Sequence, residues 1–131
     1  MTFTPEIITE LKPNEVFVFG TNQYANHAGG AAAIAAHNFG ALNGIAPHGL
    51  SGQSYGIITT SFNGKAVELG VIERQIKVLY DFAYLRPDLT FYVTKIGTGI
   101  AGFSIEEIAS IFFELESERP LNIILPKEFT A

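Results

Sequence analysis

Short hydrophobic runs alternate with helical patterns along this chain, and this alternation constrains the fold more than any other feature. The β-favouring runs cover residues 16–19, 55–59, 89–96 and 121–125. The helical patterns cover 31–39, 69–85 and the segment that follows Ser104. A βαβαβαβ order predicts a mainly parallel central sheet with helices on both faces, which is a three-layer α/β/α arrangement. A length of 131 residues suits one domain over 1–131.

The charge balance and the cysteine count exclude several functional classes. The chain has 8 Lys plus Arg against 13 Asp plus Glu, so we expect no extended cationic surface for nucleic acid. Zero Cys excludes disulfides, thiolate metal sites and a cysteine nucleophile. The sequence has no signal-peptide pattern and no apolar run of ~18 residues, which predicts a soluble cytoplasmic protein without a membrane partner. Its apolar composition, 47% hydrophobic and 16% charged, is consistent with a homo-oligomer.

One long stretch of the sequence carries no charge. Residues 16–64 contain no Asp, Glu, Lys or Arg, although this stretch includes the 40–53 segment, which we predict to be a long loop. Neutral hydrogen-bonding side chains stand there among many glycines. That mixture suits a concave site that orients a polar ligand and lets it approach the backbone closely. The alternative is a tightly packed loop whose amides satisfy its own backbone.

A second glycine-rich segment, IGTGIAG, follows the third predicted strand. Gly97, Gly99 and Gly102 match the G-x-G-x-x-G pattern, but no acidic residue ends a following strand ~20 positions on, which disfavours an ordinary dinucleotide-binding fold. Ser104 and Glu107 predict a capping box at the next helix. The N–H groups of such a helix start form an anion site. If the first and third strands are neighbours, both glycine-rich loops lie at the same sheet edge.

The remaining polar side chains give little support for metal or nucleophilic chemistry. His27, His37 and His48 lie ten and eleven residues apart with no acid nearby, unlike a helical pair of ligands, so we expect no metal site and no cofactor. Ser54 lies in the string Gly-Gln-Ser-Tyr-Gly, which matches G-x-S-x-G, but a predicted strand and not a helix follows it, so the strand-turn-helix context of a hydrolase nucleophile is missing; Ser61 has no such match. For each histidine, the sequence therefore favours a hydrogen-bonding or packing role over the role of a base.

With both loops assembled, the chain resembles the macro domain family, whose α/β fold binds ADP-ribose. The segment NEVFVFGTNQYANHAGGAAAIA resembles the family's first strand, its asparagine-containing turn and its glycine run before a helix. The segment VTKIGTGIAGFSIEEIA resembles the family's phosphate loop, in the branch that reads Ile-Gly-x-Gly. The resemblance covers about residues 14–126 and is greatest to small bacterial and phage macro-like proteins.

The resemblance implies a set of ligand-binding residues in each loop. In the first loop, Asn22 matches the asparagine that faces the distal ribose. The residues that would bind ligand there are Gly20, Thr21, Asn22, Gly29, Gly30 and Ala31. The second loop matches the family's diphosphate-binding loop over Gly97, Thr98, Gly99, Ile100, Ala101 and Gly102. The aspartate that usually holds the adenine amine has no counterpart in the N-terminal segment.

Three functional hypotheses follow from the residues and the resemblance. The first is binding of ADP-ribose or a related nucleotide diphosphate. The second is hydrolytic removal of ADP-ribose from a modified macromolecule, in which Asn22 would orient a water and His27 would act as the base. The lysine or acid that hydrolytic members of this branch use is replaced by Thr59, Thr60 and Ser61 or by Ala101. The third is a structural or interaction protein of phage origin that keeps the fold without the ligand.

Overall fold

A computed structural model describes residues 2–22, 30–41, 48–61 and 63–130, with the backbone alone for residues 30, 32, 33 and 37. The strands are β1 (Glu15–Asn22), β2 (Gly49–Ser51), β3 (Ser54–Thr60), β4 (Thr90–Val93) and β5 (Ile123–Ile124). The helices are α1 (Gly30–Asn38), α2 (Leu69–Leu85) and α3 (Ile105–Glu114). Short 3₁₀ turns follow at Glu116–Glu118 and Lys127–Phe129.

The five strands form one mixed, mostly parallel sheet in the order β2-β3-β1-β4-β5. The central strand β1 pairs in parallel with β3 and with β4, and β4 pairs in parallel with β5. The predicted mainly parallel α/β architecture is therefore confirmed. The sequence also suggested that the first and third predicted strands could be neighbours, and β1 and β4 are.

The edge strand β2 corrects the prediction that residues 40–53 form only a loop. Gly49–Ser51 pairs antiparallel with β3, with Leu50 opposite Tyr55. Three residues are too few to show the alternation by which a strand is recognised in sequence. The predicted strands 89–96 and 121–125 also prove shorter. β4 ends at Val93, where the backbone and hydroxyl of Thr94 both donate to the Val18 carbonyl, at 3.1 and 2.8 Å.

Two clusters of buried side chains lie on opposite faces of β1, because successive residues of a strand point to opposite faces. Val16 and Val18 belong to the larger cluster, which includes the buried stripes of α2 and α3. Phe17 and Phe19 belong to the smaller cluster, which includes Ala35 of α1. An unbroken apolar run in β1 is thus explained by burial on both faces.

The helices follow the predicted patterns closely. In α2 the predicted stripe is buried at Ile72, Ile76, Leu79 and Ala83. In α3 the predicted capping box is present, since the Ser104 hydroxyl accepts from the Glu107 amide at 3.0 Å while the Glu107 carboxylate accepts from the Ser104 amide at 2.9 Å. Among the described residues, no helix combines the length and apolarity that crossing a membrane requires.

Candidate functional site

Near its carboxyl end, β1 lies close to the end of β3 and to the loop that follows β4, and Gly20 is the residue at this point. A β-carbon placed on Gly20 would lie 3.3 Å from the Thr59 hydroxyl oxygen and methyl carbon and 3.4 Å from the Gly97 backbone nitrogen. Contacts this short leave little space for a side chain, so glycine allows the three segments to approach one another. The carboxyl end of β1 and the base of the glycine-rich loop after β4 therefore lie side by side, at the end of the strands where parallel α/β sheets bind ligands.

The last residues of β1 are held by β3. Thr21 pairs with Ile58 and Asn22 with Thr60, so the register shifts by one residue between them. Such a bulge re-aims the side chain that follows it. The buried Thr59 hydroxyl donates to the Thr21 carbonyl at 3.2 Å and fixes the bulge from the side of β3. Thr21 is buried, and Asn22 is half-buried at the end of the strand.

The 97–102 loop is a compact turn that packs against α3. Gly97 and Gly102 have φ values of 76° and 80°, a left-handed conformation that side chains rarely adopt. The Phe103 amide donates to the Gly97 carbonyl at 2.9 Å, and the Gly102 amide donates to the Gly99 carbonyl at 3.0 Å. A β-carbon on Gly97 would lie 3.1 Å from the Ile108 side chain, so the loop base packs directly on the helix.

Three consecutive backbone N–H groups of this loop are available to a ligand. Within the described part of the chain, the amides of Gly99, Ile100 and Ala101 donate to no protein acceptor. The Ile100 side chain is 90% exposed, which places it at the tip of the loop. Successive free N–H groups beside a helix N-terminus attract an anion without any cationic side chain.

Gly99 differs from the other two glycines of the loop. Its φ lies outside the left-handed region, and a β-carbon there would meet nothing within 4 Å. The fold alone therefore does not require glycine at this position. Close approach of a ligand to the backbone is a physical reason for the absence of a side chain.

Lys95 lies next to the loop but is engaged elsewhere. Its ammonium contacts the Glu6 carboxylate at 2.7 Å and the Glu128 carboxylate at 3.1 Å. Hydrogen bonds to Glu6 and then to Glu128 raise the pKa of Lys95 above its ordinary value. The described residues that meet at the carboxyl edge, namely 20–22, Thr59, Thr60 and 97–102, are all uncharged.

The other predicted site residues lie at the start of α1 or outside the described residues. Gly30 and Ala31 begin α1, and Ala31 packs against the smaller buried cluster. His27 and Gly29 lie outside the described residues. The structure thus brings Gly20 close to Gly97, and it leaves the roles of His27, Gly29 and the other predicted site residues as predictions.

Thr59 lies at this contact, whereas the resemblance points to it only as a position where hydrolytic members have a lysine. Its contacts with Thr21 and Gly20 depend on β3 lying beside β1, which the order of elements along the chain does not specify. Among the described residues, no three His, Cys, Asp or Glu side chains are grouped so as to hold a metal ion. Comparison of the chain with protein-family models, curated proteins and solved structures finds no match.

Proposed function

We propose that this protein binds ADP-ribose or a related nucleotide diphosphate at the carboxyl edge of its sheet, in a three-layer, macro-like fold. The observation that carries the proposal is the row of three N–H donors at Gly99, Ile100 and Ala101 beside the capped start of α3. A diphosphate offers several anionic oxygens to such a row. Residues 20–22 would then face the sugar that follows the diphosphate.

The neutral character of the site favours binding over hydrolysis. Cleavage of a glycosidic ADP-ribose bond requires a positioned base, a nucleophile or a held water of suitable pKa. Ala101 stands where an acid could act, and Lys95 is paired with Glu6 and Glu128. The backbone donors, by contrast, are well suited to hold phosphate oxygens at any physiological pH, because amides do not titrate.

Calorimetry with ADP-ribose, ADP, NAD and inorganic phosphate tests the proposal. We expect ADP-ribose and ADP to bind and phosphate alone to bind more weakly, since it fills only part of the N–H row. Replacement of Gly99 by Glu should abolish binding, because a carboxylate would then occupy the anion position. An absence of heat and of thermal stabilisation with millimolar ADP-ribose would contradict the proposal.

Leu121→Glu is the matched control for the added charge. Leu121 is 97% exposed and lies just before β5, at the amino end of the parallel strands, whereas the 97–102 loop follows the carboxyl end of β4. This variant should bind ADP-ribose as the wild type does. Equal weakening in both variants would show that net charge, and not occupation of the site, explains the loss.

A further inference from the structure

Gln75 is a buried polar residue on the mostly apolar face of α2. It lies between Ile72 and Ile76 on that face, and only 8% of its surface is exposed. Its amide makes two hydrogen bonds to one residue of β3: the side-chain oxygen accepts from the Ile58 amide at 2.7 Å, and the side-chain nitrogen donates to the Ile58 carbonyl at 2.8 Å.

The Gln75 amide continues the hydrogen-bonding edge of β3 beyond its partner strand β2. Ser54 and Gly56 pair with Ser51 and Gly49 of β2. Because backbone groups alternate in direction along a strand, Ile58 is the next residue that presents its N–H and C=O on that side. A primary amide carries one acceptor and donors in the arrangement of a peptide group, so Gln75 serves Ile58 as a neighbouring strand would.

The residues just beyond Ile58 connect this clamp to the candidate site. The Thr59 hydroxyl donates to the Thr21 carbonyl, and Thr59 side-chain atoms lie 3.3 Å from the β-carbon position of Gly20. The same β-carbon position lies 3.4 Å from the backbone nitrogen of Gly97. A displacement of the end of β3 would therefore reach the carboxyl end of β1 and the base of the 97–102 loop.

We propose that Gln75 is a positioning residue for the nucleotide-diphosphate site. Its hydrogen bonds to Ile58 fix the carboxyl end of β3, so that Thr59 packs beside Gly20. The 97–102 loop then keeps the position in which the amides of its residues 99–101 can bind a diphosphate. This inference rests on the proposed function for its ligand. The effect of Gln75 on the backbone at Gly20 and Gly97 does not depend on any ligand.

Two substitutions separate the clamp from simple packing. Gln75→Met keeps an unbranched side chain of similar size and removes both hydrogen bonds to Ile58, together with the 3.3 Å hydrogen bond that the Gln75 nitrogen donates to the Val71 carbonyl within α2. Gln75→Glu keeps an acceptor for the Ile58 amide but turns a carboxylate oxygen toward the Ile58 carbonyl. We expect both variants to bind ADP-ribose roughly tenfold more weakly. We also expect both to shift the backbone amide resonances of Gly20, Thr59 and Gly97.

Ile76→Val is the matched control, since it removes one methylene from the neighbouring buried position of the same helix. It should lower stability while keeping the wild-type affinity and the wild-type resonances at the site. If the Gln75 variants keep the affinity and these resonances, the positioning role is wrong. If the control changes both as the variants do, Gln75 contributes only through packing, which also overturns the proposal.

A measurement on the unsubstituted protein covers the case in which the variants do not fold. The side-chain amide resonances of Gln75 should shift when ADP-ribose saturates the protein, and unchanged resonances in a saturated sample would contradict the proposal. If the wild type does not bind ADP-ribose, the proposed function fails. In that case the resonances of Gly20 and Gly97 in the variants decide the positioning role: a shift supports it, and no shift contradicts it. If the variants also do not fold, slow hydrogen exchange of the Gln75 side-chain amide in the wild type supports the role, and fast exchange contradicts it.

Discussion

The Gly97 backbone nitrogen lies 3.4 Å from the point where a β-carbon on Gly20 would sit, so the end of β1 and the 97–102 loop approach each other with no side chain between them. These residues are far apart in sequence. Their proximity makes the candidate site sensitive to any side chain added at Gly20.

Replacement of Gly20 by Val should destabilise the protein by about 2 kcal/mol, because its branched side chain would crowd Thr59 and Gly97. Gly20→Ala should cost less, since one β-carbon requires its neighbours to move only slightly. Urea unfolding of both variants and the wild type measures the difference. A Gly20→Val protein as stable as the wild type would show that the strand ends are not in close contact.

The glycines of the 97–102 loop should differ in their tolerance of alanine. Gly97→Ala combines a left-handed φ with crowding against Ile108 and should cost about 3 kcal/mol. Gly102→Ala has the left-handed φ with open space around it and should cost about 1 kcal/mol. Gly99→Ala should leave the free energy of unfolding within about 0.5 kcal/mol of the wild type. Chemical denaturation gives this ranking, and a reversed order would contradict the loop geometry.

Removal of the Tyr80 hydroxyl should not destabilise the protein. Among the described residues, this buried hydroxyl has no hydrogen-bond partner, and burial raises the pKa of Tyr80 above its ordinary value. Because an unsatisfied buried polar group carries a desolvation cost, Tyr80→Phe should be neutral or stabilising by about 1 kcal/mol. Thermal and urea unfolding test this, and a clear loss of stability would reveal a hydrogen bond of this hydroxyl in solution.

Protonation of His48 should destabilise the fold. Burial lowers the pKa of His48 below its ordinary value of 6.5, and its ring packs edge-on against Tyr55. The unfolded chain therefore binds the proton more readily than the folded chain does. It follows that the free energy of unfolding falls as the pH drops through 6.5 and toward the folded-state pKa.

The comparison with His48→Gln isolates this contribution. The wild type should lose more stability than the variant between about pH 7.5 and about pH 5.5, because the other titrating groups are common to both chains. Urea unfolding at the two pH values measures the loss. Parallel losses in the two proteins would assign the pH dependence to groups other than His48.

Local patterns in the sequence were sufficient to predict the helices. The apolar stripe of α2 and the capping box of α3 each arise from residues within one or two helical turns, where spacing alone decides which side chains meet. The same stripe also contains a residue that indicates a tertiary hydrogen bond. Gln75 interrupts it with an amide, and a polar group on a buried face requires a hydrogen-bond partner.

The alternation of strands and helices, the positions of the glycines and the absence of charge over 16–64 follow from the amino-acid order alone. The fold adds that β1 lies between β3 and β4, that the β-carbon position of Gly20 is close to Thr59 and Gly97, and that Gln75 binds Ile58. These relationships could not be predicted because strand pairing joins segments distant in sequence, whereas periodicity reports only on neighbours along the chain. The candidate site exists where these pairings end.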